Sequence, residues 1–129
     1  MPGNKGVNDF MGQALEGVRV IDISNFLAGP ISSMFLGDLG ADVIKVERPG
    51  TGDEIRYWGH NKDGVGLMYK LVNRNKRSVT ADLRTPFGVE IVKALIRDAD
   101  IIVENYRKGT LEKWGLDYET LSKINPSLI

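Results

Sequence analysis

Between Gly17 and Val46 the hydrophobic period changes twice, and this constrains the fold more than any other feature of the chain. Val18, Val20, Ile21 and Ile23 form a β-branched run interrupted by Arg19 and Asp22, the pattern of a buried strand with a polar end. From Pro30 the apolar residues Ile31, Met34, Phe35 and Leu39 fall at helical spacing, with Pro30 suited to the first helical position and Gly40 to the stop. Ala41 to Val46 then reads as a second strand. A strand, a crossover helix and a strand in roughly thirty residues make a βαβ unit, whose strands are parallel and whose connection is right-handed.

Downstream, the same reasoning gives a helix over Leu67–Val72 and a strand at Ser78–Ala81. Thr85-Pro86 opens a helix that carries Val89, Val92, Leu95 and Ile96 on one face. Ile101–Val103 is the next strand. Glu112 to Ile124 supplies one broken or two short helices, split at Gly115, and Asn125 to Ile129 resembles a turn followed by the opening of another strand. Residues 47–66 hold one proline and five glycines with Tyr57, Trp58 and His60, a long surface excursion of the kind that is usually functional. Residues 1–16, rich in glycine and asparagine, read as a flexible arm. The organisation expected is an arm over 1–16 and one α/β domain over 17–129, the N-terminal piece of something longer.

With 129 residues, 17 basic and 17 acidic, the chain has no global field that recommends nucleic acid or a membrane as partner. There is no cysteine, which removes disulfides, thiolate metal sites and cysteine nucleophiles. No apolar stretch approaches the ~18 residues of a membrane span, and the N-terminus lacks a signal-peptide core. The chain reads as soluble and cytoplasmic.

The turn Ser24 to Pro30 sits at the carboxyl end of a parallel strand, where open α/β sheets bind ligands, and the N–H groups of a helix start can hold a phosphate. Glu47, at the end of the second strand, stands where a dinucleotide-binding fold presents an acid to ribose. The glycine fingerprint is missing, however, because Gly29 is accompanied by bulky Phe26 and Leu27. Gly29 and Pro30 can equally be read as the start of a helix and nothing more. From Lys45 to Arg84 nine basic residues face five acidic ones, a local excess suited to a polyphosphate or simply a solvated face. His60 has no second histidine or cysteine with which to share a metal. Asp22 and Asp42 are carboxylates near strand ends, for which capping or loop hydrogen bonding is the commoner role. The sequence offers no nucleophile elbow, no P-loop and no evident catalytic triad.

Five segments occur in order: Leu15 to Asp22, Ala28-Gly29-Pro30, Leu39 to Gly50, Asn75-Lys76-Arg77-Ser78 and Val103-Glu104-Asn105-Tyr106. Together they resemble the N-terminal portion of the class III CoA-transferases, the CaiB/BaiF family that includes formyl-CoA and carnitine CoA-transferases, with α-methylacyl-CoA racemases as relatives. The resemblance implies a Rossmann-like parallel sheet with flanking helices, a truncated part of a larger fold in which two subunits interlock as a homodimer. It implies coenzyme A or acyl-CoA as substrate, a carboxylic acid as acceptor and no permanently bound cofactor. By position, CoA contacts would fall at Asn25, Leu27, Ala28, Arg48, Ala81 through Arg84, Asn105, Tyr106 and Lys113. The transferases use an aspartate nucleophile, which forms an anhydride and then an aspartyl-CoA thioester. That group would lie beyond Ile129, so no catalytic residue is assigned and the piece alone is expected not to turn over. An acyl-CoA racemase or epimerase, or a CoA- or nucleotide-binding module without catalysis, are the alternative expectations.

Overall fold

A computed structural model describes residues 12–129. Its main sheet has four parallel strands: β1 (Arg19–Asp22), β2 (Asp42–Glu47), β5 (Lys76–Thr80) and β6 (Ile101–Val103), in the spatial order β5-β2-β1-β6. Numbered among themselves these strands run 3-2-1-4, the first four strands of the Rossmann order, in which the succession reverses between β1 and β6. Helices α1 (Ala28–Asp38) and α3 (Pro86–Ile96) pack on opposite faces. Val20 and Val43 face one side with Leu36 of α1, while Ile21, Ile44 and Val46 face the other with Val92 and Ile96 of α3. Because both faces are covered, the neighbouring residues Val20 and Ile21 of β1 and Val43 and Ile44 of β2 are apolar in succession instead of alternating.

Several elements differ from expectation, among them β2, which runs Asp42–Glu47, and α4, which starts at Thr110, and three of the differences have identifiable reasons. Helix α1 starts at Ala28, so Pro30 is its third residue; the first four N–H groups of a helix have no intrahelical acceptor, and the missing donor costs nothing there. Strand β5 begins at Lys76, two residues early, because its register on β2 pairs Lys76 with Val43. The 47–66 excursion is not a plain surface loop. It folds into a 3-10 turn (Glu54–Tyr57) and a hairpin of β3 (Asn61–Lys62) with β4 (Val65–Gly66), and it buries Asp53 and Ile55 in the process. Helix α2 (Leu67–Val72) follows as expected.

Thr85 caps α3 by accepting from the Gly88 N–H, with Pro86 at the first position. Gly115, at φ 66°, separates α4 (Thr110–Trp114) from α5 (Tyr118–Ile124). Beyond α5, the Ile129 N–H donates to Asp100 O and its carbonyl accepts from Ile102 N–H. These two bonds have the geometry of parallel pairing on the outer side of β6. Of the expected arm, residues 1–11 lie outside the described residues. Leu15, near its end, is anchored: its N–H donates to Leu39 O and its side chain packs on the Val20–Ala41–Val43 cluster.

Candidate functional site

The chain reverses direction beside β1, and outside the carboxyl ends of the strands at that place lies a groove of about 540 Å³. The turn after β1 forms one wall. Its shape depends on Gly29, where a Cβ would overlap the Ser24 side chain, so this glycine serves close packing as well as helix initiation. The turn after β6 forms the facing wall, and Asn105 bridges the two. Its Oδ1 accepts from the Asn25 N–H at 2.9 Å and its Nδ2 donates to the Asn25 carbonyl at 2.7 Å. The Asn25 side chain in turn donates to Tyr106 Oη at 2.7 Å, and the Tyr106 ring packs edge-on against Trp114 at 5.1 Å.

Of the residues singled out from the sequence, Asn25, Arg48, Ala81, Asp82, Leu83, Arg84, Asn105 and Tyr106 line this one groove. Leu27, Ala28 and Lys113 lie outside its lining: Leu27 is the half-buried residue before α1, Ala28 and Lys113 are exposed. Phe26, Glu54, Arg107 and Trp114 also line it and were not anticipated. Arg107, two residues past Asn105, could have been found by extending the last motif. Phe26 could not, since a bulky residue at φ 66° is not a pattern the sequence displays.

The electrostatics are more selective than the basic composition implies. Lys45 and Lys76 are buried: Lys45 Nζ lies 3.0 Å from Asp53 Oδ2, and Lys76 Nζ 3.0 Å from Asp22 Oδ2. Burial alone would raise the Asp22 carboxyl; the charges of Lys45 and Lys76 and the hydroxyls of Ser24 and Ser33 outweigh it and hold it below its ordinary value. Asp42 sits at the opposite end of the sheet, paired with Arg19 and Arg77. Both aspartates are thus committed within the fold. Within the groove, Arg84 donates twice to Asp82, at 2.8 and 2.7 Å, and the Asp82 carboxyl is held at about 2 by these side-chain bonds and by the Arg84 N–H. Among the described residues Arg48 donates only to Thr51, and it is exposed.

The Glu47 carboxylate is engaged within the fold rather than left free for a ribose. It accepts from Arg56 Nε at 2.7 Å, Arg56 Nη2 at 2.8 Å, Tyr69 Oη at 2.7 Å and the Asp53 N–H at 2.9 Å. Burial raises this carboxyl, yet the four donors overcome it and bring it down to about 2. Among the described residues no cluster of His, Asp or Glu could hold a metal, and no helix is long and apolar enough to cross a membrane.

A parallel 3-2-1-4 sheet with a groove at its reversal defines a Rossmann-like α/β domain, a class in which ligands sit at the strand ends. The chain belongs to CoA-transferase family III, whose profile matches residues 15–129. It is 51% identical over 116 residues to the succinyl-CoA–D-citramalate CoA-transferase of Chloroflexus aurantiacus, covering 89% of this chain and 29% of that protein. With the succinyl-CoA:glutarate CoA-transferase of Mus musculus it is 52% identical over 116 residues, covering 89% and 27%. The crystal structure of a CAIB/BAIF family protein from Brucella suis superposes with a TM-score of 0.85 at 47% identity, covering 91% of this chain and 32% of that one. The chain therefore spans less than a third of the length of these relatives.

Proposed function

We propose that these residues form the CoA-binding part of a transferase that moves CoA between an acyl-CoA and a carboxylic acid. The observation that carries this reading is the convergence of Asn25, Arg48, Ala81, Arg84, Asn105 and Tyr106, drawn from four separate segments, on one groove. Aliphatic and main-chain surface at Ala81 suits an adenine, and guanidiniums at Arg48 and Arg84 suit phosphates. In this reading the transfer proceeds through an aspartyl-CoA thioester on a carboxylate outside these 129 residues. The enzyme works as a cytoplasmic homodimer and needs no permanently bound cofactor. The names of the two relatives pair succinyl-CoA with citramalate or glutarate, so we assign the same class here: a short dicarboxyl acyl-CoA as donor and a dicarboxylic acid as acceptor.

Isothermal titration with CoA, dephospho-CoA and NAD tests the groove. CoA binds and NAD does not, and Arg48→Ala weakens CoA binding about tenfold, the value of one charge-assisted phosphate contact. Failure of the folded protein to bind CoA at millimolar concentration refutes the reading.

A further inference from the structure

Asn25 is flanked by two peptide units whose four polar groups are all accounted for by three side chains. Asn105 takes the Asn25 N–H and carbonyl. The remaining two groups lead inward. The Ser24 carbonyl accepts from Lys45 Nζ, and the Phe26 N–H donates to Asp53 Oδ1 at 3.0 Å. Lys45 and Asp53 are themselves an ion pair, 3.0 Å apart and each about 1% exposed. Asp53 Oδ1 also accepts from the Ile55 N–H at 3.1 Å, while its Oδ2 faces Lys45 and has no hydrogen bond of its own.

Phe26 adopts φ 66°, a left-handed conformation that a bulky residue keeps only where its surroundings impose it. Glycine would take the same turn without help. The chain instead keeps an aromatic ring there, lining the groove and packed edge-on against Trp58 at 5.1 Å. A ring at that place and a left-handed backbone are incompatible demands unless something holds the Phe26 amide, and Asp53 is the group that does. A buried ion pair contributes little net stability, because desolvation offsets attraction; what it can supply is a fixed arrangement.

We infer that Asp53 is a positioning residue for the groove: with Lys45 as its counterion, it locks the Ser24–Phe26 turn so that Asn25 and the Phe26 ring are presented to the ligand before it arrives. This rests on the groove being the CoA site. Preorganisation of this kind lowers the cost of ordering the wall on binding.

The test is a CoA titration of the parent protein, Asp53→Asn, Phe26→Asn and the double variant, each first checked as folded by circular dichroism, with amide hydrogen exchange followed at Phe26. In Asp53→Asn the new amide group faces Lys45 as a second donor and the charge is lost. CoA affinity falls about tenfold and Phe26 exchange protection drops by a similar factor. Phe26→Asn weakens binding by removing the ring, but asparagine tolerates the left-handed region. Adding Asp53→Asn to it therefore costs no more than about twofold further, a coupling that mere loss of stability does not produce. Folded Asp53→Asn with CoA affinity within twofold of the parent overturns the inference, as does strict additivity in the double variant. If the parent itself fails to bind CoA, the groove reading fails; unchanged Phe26 protection in Asp53→Asn then overturns the positioning role as well.

Discussion

Replacing Glu47 by glutamine separates two roles that its place at the end of β2 allows. The carboxylate is 2% exposed and bonded by Arg56, Tyr69 and the Asp53 N–H, and its pKa falls from an ordinary 4.5 to about 2. At 1.36 kcal/mol per pKa unit that gap amounts to about 3 kcal/mol of stability at neutral pH. Because the Arg56 side chain is 29% exposed, solvent screens part of it, and about 2 kcal/mol is the working figure. The carboxyl is held below its unfolded value, so its contribution is complete above pH 4.5 and is lost as pH falls through about 2. Urea unfolding of parent and Glu47→Gln should therefore differ by about 2 kcal/mol at pH 7 and converge in acid. CoA affinity should change far less than stability, since the carboxylate is occupied inside the fold. Equal stability at pH 7, or a difference that does not shrink between pH 5 and pH 2, refutes the clamp. A large loss of ligand affinity with stability intact restores the ribose-acid role.

Two further substitutions probe the walls of the groove. Gly29→Ala drives a methyl into Ser24 and lowers unfolding free energy by about 2–3 kcal/mol; a loss below about 0.5 kcal/mol in urea titration would mean that the turn yields freely. Asn105→Ala strips the Asn25 N–H and carbonyl of their partners, costing about 1–2 kcal/mol and weakening CoA binding by calorimetry, and an unchanged affinity would detach this bridge from the ligand site.

The fold was legible where a local pattern had a single physical meaning. The β-branched runs at Val20–Ile23 and Val43–Val46 read as strands covered on both faces, and Thr85-Pro86 read as a cap followed by a first helical residue. The start of α1 was harder, because Leu27 before it offers no capping side chain. Within the site, the family motifs marked most of the groove, yet the bonds that shape it join residues about eighty positions apart, such as Asn25 to Asn105, and no local pattern encodes such a pair. One signal was present but unread. A lysine inside the run Val43-Ile44-Lys45-Val46 of a central strand cannot be solvated, so it demands a buried acid. The nearest carboxylates past that strand end, Glu47 and Asp53, included the partner.

The fate of the basic residues between Lys45 and Arg84 also bears on how the ligand's charge is met. Lys45 and Lys76 are spent on Asp53 and Asp22, Arg56 on Glu47, Arg74 on Asp38, Arg77 on Asp42 and Arg84 on Asp82. Among the described residues Arg48 donates to the Thr51 hydroxyl and forms no ion pair with a carboxylate, unlike Arg84, the other groove cation from this region. A polyanion held by the whole region would lose affinity steeply with salt. One held by Arg48 and Arg107, with Arg84 shared between Asp82 and a phosphate, loses less, because few charges are involved. Between 50 and 500 mM sodium chloride the CoA Kd should therefore rise less than about fivefold, and Arg48→Ala should flatten part of that dependence. A rise well beyond tenfold, or a slope untouched by Arg48→Ala, would mean that the internal pairs open on binding and that the basic region acts as a unit.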